Sequence, residues 1–167
     1  MGKTQENLEE AFAGESQANR RYLAYSKKAD ADGYPNAARL FRAAAESETM
    51  HALKHFKVMG AIQDTVENLR AAVEGETHEK TKMYPQFIEE ARAEGEKAAE
   101  MSFQHANEAE KVHAALYENA LKAVEKGDDP PKTDYFVCQV CGFTVENEAP
   151  DRCPVCGAKK ERFRAIE

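Results

Sequence analysis

Glu110-Lys111-Val112-His113 lies inside a long run of helix-forming residues, and the same Glu-x-x-His spacing stands earlier at Glu48-Thr49-Met50-His51. Residues three apart share one face of a helix, so each pair offers a carboxylate and an imidazole to a single metal ion. Two such pairs on two helices, with carboxylates from two more, form the donor set that encloses a pair of metal ions in a four-helix bundle.

The helix around Glu110 is expected over 96–126, with Ala99, Phe103, Ala106, Glu110, His113, Tyr117, Ala120 and Val124 at a/d spacing. The helix around Glu48 is expected over 36–59, where Ala37, Phe41, Ala44, Glu48, His51, His55 and Val58 keep the same rhythm and Gly60 ends it. A first helix over 4–30 carries Leu8, Phe12, Glu15, Asn19 and Tyr22 on one line, with Pro35 suited to open its successor. Residues 61–75 are helical by propensity with Thr65 as the expected cap. The pattern then runs through Glu76, Glu79, Met83 and Phe87 to Ala91 and stops at Gly95. Pro85 falls inside that third helix and must kink it or loosen a backbone bond.

Glu15, Glu48, His51, Glu76, Glu79, Glu110 and His113 thus occupy core positions near the middles of their helices. An ionised carboxylate in an apolar core costs several kcal/mol, so the five cannot share one place unneutralised. Two divalent cations resolve this, and the mixed oxygen and nitrogen set suits iron or manganese better than zinc. Only one of Glu76 and Glu79 is needed for the minimal motif. Tyr22, seven residues after Glu15, and Tyr84 are candidates to hold ligand carboxylates through their hydroxyls, or are core tyrosines. His55, one turn beyond His51, is an alternative ligand or a core histidine.

Gly127-Asp128-Asp129-Pro130-Pro131 breaks the last helix and opens a short stiff linker, 128–134. Behind it lie all four cysteines, Cys138-x-x-Cys141-Gly142 and Cys153-x-x-Cys156-Gly157, in a β-and-loop module over 135–167. Such a module is too short to fold on an apolar core and needs its metal. Four thiolates hold zinc or a single iron, and the spacing admits both. Paired Cys-x-x-Cys motifs read as metal ligands in a reducing compartment, so the expected location is the cytoplasm. A net charge of -7 without a basic stripe excludes nucleic acid as a partner. No run is apolar enough for a signal peptide or a membrane span, so no membrane partner is expected.

Gly14-Glu15-Ser16-Gln17-Ala18-Asn19-Arg20-Arg21-Tyr22, Glu48-x-x-His51, Gly75-Glu76-x-x-Glu79 with Met83-Tyr84-Pro85, Glu110-x-x-His113 and the two cysteine knuckles together resemble rubrerythrin. The resemblance covers essentially the whole chain, with both modules in the family's order. It implies a mainly α fold, a ferritin-like four-helix bundle (1–127) followed by a rubredoxin-like metal domain (135–167). It also implies a non-haem diiron centre on Glu15, Glu48, His51, Glu76, Glu79, Glu110 and His113, with Glu76 the added carboxylate that marks rubrerythrins among ferritin-like proteins. The aromatic set Tyr135, Phe136, Phe143 and Phe163 fits rubredoxin packing, and the resemblance favours iron over zinc at Cys138, Cys141, Cys153 and Cys156.

The expected activity is reduction of hydrogen peroxide to water at the diiron centre, with electrons returned one at a time through the tetrathiolate. The external donor would be a rubredoxin or an NAD(P)H-dependent reductase. The alternative is a ferroxidase that handles iron, but its iron substrate brings its own electrons and leaves a one-electron relay without a task.

A ferritin-like bundle needs a long crossover between its second and third helices. Residues 61–75, if helical, span about 20 Å at 1.5 Å per residue, too short to return along the bundle. Glu48 and Glu76 stand at similar distances from the joint at 60–65, as in two helices that run on past each other. The expectation is a helix-exchanged homodimer. Each diiron site would then take Glu15, Glu48 and His51 from one chain and Glu76, Glu79, Glu110 and His113 from the other.

Overall fold

The computed structural model describes residues 2–167, and the chain divides into two compact units, Met1–Gln63 and Asp64–Glu167. The first unit is a helical hairpin of α1 (Lys3–Ala31) and α2 (Pro35–Val58). Pro35 stands in the first turn of α2, where its missing N–H costs nothing. The two helices meet along a seam of small side chains: Ala38, Ala45 and Ala52, seven residues apart, are buried on α2. Alanine at these points lets the backbones approach. Opposite them Asn19 is buried on α1, and its Nδ2 donates to the Ala45 carbonyl and to Thr49 Oγ1, both at 2.7 Å. That polar clamp fixes the register of the hairpin.

This seam is displaced from the expected one. Phe41, Ala44, Glu48 and His55 are half-buried and Ala37 is exposed, so the ligand stripe lies beside the hairpin contact and not within it. Alanines stand side by side at 37–38 and 44–45, and the apolar pattern alone does not choose between the two phases. Leu40, Met50, Leu53 and Val58 of α2 remain more than half exposed.

The second unit opens with α3 (Thr65–His78). Residues 61–64 are not helical, and the cap is Asp64, not Thr65: its carboxylate accepts from the Glu67 N–H at 2.9 Å. A π-helical turn, Glu79–Met83, follows, and then α4 (Tyr84–Glu94). Pro85 accounts for that turn. It has no N–H for the carbonyl four residues back, and in a regular helix its ring would strike that carbonyl. One wider turn moves the carbonyl aside, with the Tyr84 N–H donating to the Glu79 carbonyl five residues back. Pro85 thereby falls in the first turn of α4. Gly95, at φ 77°, ends α4 in the left-handed conformation.

The last long helix, α5 (Lys97–Val124), packs against both α3 and α4. Past the linker, β1 (Tyr135–Cys138), β2 (Thr144–Glu146) and β3 (Phe163–Ile166) form an antiparallel sheet in the order β2-β1-β3. Val137 pairs with Thr144 and Cys138 with Phe163. The strand β2 also touches α5.

Candidate metal centres

The first unit brings Glu15, Glu48 and His51 together, with one ligand atom of each within 4.8 Å of the others. Glu48 and His51 are one turn apart on α2, and Nδ1 of His51 lies 2.8 Å from Glu48 Oε2 and 4.0 Å from Glu15 Oε1 across the hairpin. The seam alanines determine this. By holding α1 and α2 close they bring the two carboxylates to one side, beside the contact.

The second unit brings Glu76, Glu110 and His113 together in the same way. Here Nδ1 of His113 lies 2.7 Å from Glu110 Oε2 and 3.7 Å from Glu76 Oε2. Burial, and then the adjacent carboxylates of Glu110 and Glu79, push the Glu76 carboxyl up to about 7. Burial also raises Glu79, with the Glu110 charge adding to it. Glu79 stands at the start of the π-helical turn, outside the tight trio but within its field. Burial, then the charges of Glu79, Glu110 and Glu76, raise the Tyr84 phenol, and its ring lies 6.4 Å from those of Phe87 and Phe103. Tyr22 lies in the first unit, its ring 6.2 Å from Phe41, and its hydroxyl makes no hydrogen bond among the described residues. His55 is half-buried and joins no ligand cluster among the described residues.

These residues fit a cation. Glu76 Oε2 is buried with no hydrogen-bond partner, a state that costs free energy until something positive meets it. Glu76 and Glu79, whose proton affinity is raised by burial and then by neighbouring carboxylates, are poised to exchange protons for a metal ion. Oxygen donors with one imidazole in each trio match iron or manganese.

In the small module the four cysteine sulfurs lie within 4.8 Å of one another, with Cys138–Cys156 at 3.7 Å and Cys141–Cys153 at 3.6 Å. Metal–sulfur bonds of about 2.3 Å place tetrahedral sulfurs about 3.8 Å apart, so the cage is already the right size. The two knuckles repeat one geometry. Cys138 N–H donates to the Phe143 carbonyl and Cys153 N–H to the Ala158 carbonyl, at 2.9 and 2.7 Å. Gly142 and Gly157, at φ 82° and 73°, close the turns. Burial disfavours the Cys138 thiolate, but the Cys141 and Val140 backbone amides outweigh it and hold this thiol below its ordinary value. Burial dominates at Cys141 and Cys156 and raises both, a cost that a bound cation reverses.

Thr144 is the neighbour that sequence reasoning missed. Its Oγ1 lies 2.8 Å from Nε2 of His113. Its only signal in the sequence is a small polar residue three positions after a ligand cysteine.

The family model described as Rubrerythrin matches residues 6–121, and that of the rubrerythrin rubredoxin-like domain matches residues 136–164. Rubrerythrin-2 of Clostridium acetobutylicum is 40% identical over 98% of this chain and 96% of its own. Nigerythrin of Nitratidesulfovibrio vulgaris is 34% identical over 99% of this chain and 87% of its own. A solved structure of fully reduced, all-ferrous nigerythrin superposes with a TM-score of 0.57 at 32% identity, covering 99% of this chain and 88% of that one. With a carboxylate–imidazole trio in each helical unit and four clustered cysteines in a rubredoxin-like module, the chain belongs to the rubrerythrin family.

Proposed function

We propose that the protein is a peroxide reductase, converting hydrogen peroxide, two electrons and two protons into two waters. The observation that carries this reading is the pairing, in one chain, of two carboxylate–imidazole clusters with a separate four-thiolate cage. An iron pair held by these trios would supply the two electrons that O–O cleavage consumes, and an iron held by the four thiolates would supply single electrons to replace them. Glu15, Glu48 and His51 would hold one side of the pair, and Glu76, Glu79, Glu110 and His113 the other. Tyr84, whose phenol lies in the field of the Glu79 and Glu110 carboxylates, is assigned to orient them, and Tyr22 is assigned the same task on α1. The π-helical turn gives the Glu79 carboxylate room to change its reach. The electron donor is external, a rubredoxin or an NAD(P)H-dependent reductase. The domains are 1–127, the linker 128–134, and 135–167.

No helix among the described residues is long and apolar enough to cross a membrane, and thiol cages of this kind persist in reducing surroundings. The proposed location is the cytoplasm.

The assembly we propose is a helix-exchanged homodimer. Each unit holds its own trio, one in Met1–Gln63 and one in Asp64–Glu167. The joint between α2 and α3 is only the short stretch 59–64. Exposed Leu40, Met50, Leu53 and Val58 supply an apolar face on the first unit, and each such side chain gains about 1.5–3 kcal/mol when covered.

Stopped-flow mixing of the fully reduced protein with hydrogen peroxide and, separately, with dioxygen tests the activity. The reading expects much faster oxidation by peroxide. Faster oxidation by dioxygen, with added Fe(II) accumulating as a mineral, would establish the ferroxidase instead.

A further inference from the structure

We propose that Thr144 of the small module is the positioning residue for the bundle ligand His113. Its hydroxyl holds Nε2 so that Nδ1 faces the carboxylates. The inference rests on the diiron reading of the His113 cluster.

Three features of the second unit lead to it. Nε2 of His113 and Oγ1 of Thr144 are 2.8 Å apart, while Nδ1 of the same ring is 2.7 Å from Glu110 Oε2. Thr144 is buried, 8% exposed, as the first residue of β2, and it is fixed there by its pairing with Val137 and by the Cys138 N–H donating to the Phe143 carbonyl at 2.9 Å. The outer side of the His113 ring borders a cleft of about 350 Å³ lined by Leu69, Leu116, Tyr117, Tyr135 and Thr144. Without a tether the ring has space to turn away from its carboxylates.

A hydroxyl suits both states of the ring. When Nδ1 binds a metal it carries no proton, so the neutral imidazole has its proton on Nε2 and needs an acceptor there. Thr144 Oγ1 accepts, and its own proton points to the Gly142 carbonyl at 3.5 Å, next to Cys141. Without metal, Nδ1–H donates to Glu110 and the Thr144 hydroxyl donates to Nε2. An apolar residue of the same shape serves neither state. His51 differs: its Nε2 has no hydrogen bond among the described residues. The orienting contact therefore exists for the second trio and not for the first.

The test uses the full-length protein loaded with zinc(II), a diamagnetic ion, and nitrogen-15 NMR of the imidazoles. The expected result is an exchange-protected His113 Nε2–H with a nuclear Overhauser cross-peak to the Thr144 methyl group. Thr144→Val should lose that protection and weaken zinc binding at the bundle by about 10–100-fold in chelator competition, and Thr144→Ser should restore both. The ferric tetrathiolate absorption of the iron-loaded variants reports whether the small module has folded. Wild-type affinity in a folded Thr144→Val protein would overturn the proposal. If that variant does not fold, the unaltered protein decides: a missing cross-peak with zinc bound at His113 overturns it. If zinc never reaches His113, the diiron reading itself fails, and this inference with it.

Discussion

Nδ1 of His51 stands 2.8 Å from Oε2 of Glu48, one helical turn along α2, and the same pair of atoms recurs on α5 at 2.7 Å between His113 and Glu110. The two trios are thus local copies of one geometry, each built inside its own compact unit. In both, the nitrogen that faces the carboxylates is Nδ1, the one nearer the helix backbone, which leaves Nε2 to be held from outside.

Glu48→Ala should be the most damaging single carboxylate change. Its oxygen approaches both His51 and the centre of its trio, and its loss leaves the ions under-neutralised. The expected loss in kcat/KM for peroxide exceeds the about 10–100-fold typical of removing an outer partner of a ligand. Steady-state kinetics with iron analysis of the same samples checks it.

Cys156→Ser should abolish the visible absorption of the tetrathiolate, while at saturating iron the carboxylates and imidazoles of the two trios still hold the bundle irons. Cys156 lies in the second knuckle, whereas the contact to His113 comes from β2, which follows the first. Metal analysis should fall from three irons per chain to two. A colourless unaltered protein with one tightly held zinc would exclude the electron-relay role.

Metal-free protein should lose stability as pH rises from about 4.5 to about 7. The folded Glu76 carboxyl is raised from 4.5 to about 7, so between these values the folded state binds more protons than the unfolded one. The stabilising contribution is present below about 4.5 and disappears as pH passes about 7. Glu79 is raised as well and acts in the same direction. Thermal melting across this range should show Tm falling in metal-free protein. Loading with metal should remove the fall, because the cation replaces the proton.

Asn19→Ala should destabilise the hairpin by about 1–3 kcal/mol, the cost of removing a buried hydrogen-bonded group. Thermal unfolding measures it, and the ligands themselves are untouched.

The clustering of the two carboxylate–imidazole trios was legible in the sequence because residue spacing on a helix is a local property. Glu48 with His51 and Glu110 with His113 need only 3.6-residue periodicity to share a face, and the cysteine knuckles carry their own turns. Most helix ends fell within two residues for the same reason, since Pro35 and Gly95 punctuate the chain unaided, whereas α3 begins at Thr65 and not at 61. What the sequence did not reveal depended on other segments. The α1–α2 seam follows Ala38, Ala45 and Ala52 because backbone approach selects among adjacent alanines. The π-helical turn is one of the ways to accommodate Pro85, a kink being another, and the position of a proline alone does not choose between them. Thr144 meets His113 across 31 residues of chain, beyond the reach of any local pattern.

The measurement that bears most directly on the account combines two inactive chains. Glu48→Ala and Glu110→Ala chains carrying different tags are unfolded together, refolded, and the heterodimer isolated by both tags. With helices exchanged, one site of that heterodimer carries both lesions and the other carries none. The account predicts peroxide reduction returning at about half the activity of the unaltered dimer. A purified heterodimer as inactive as its parents would contradict it.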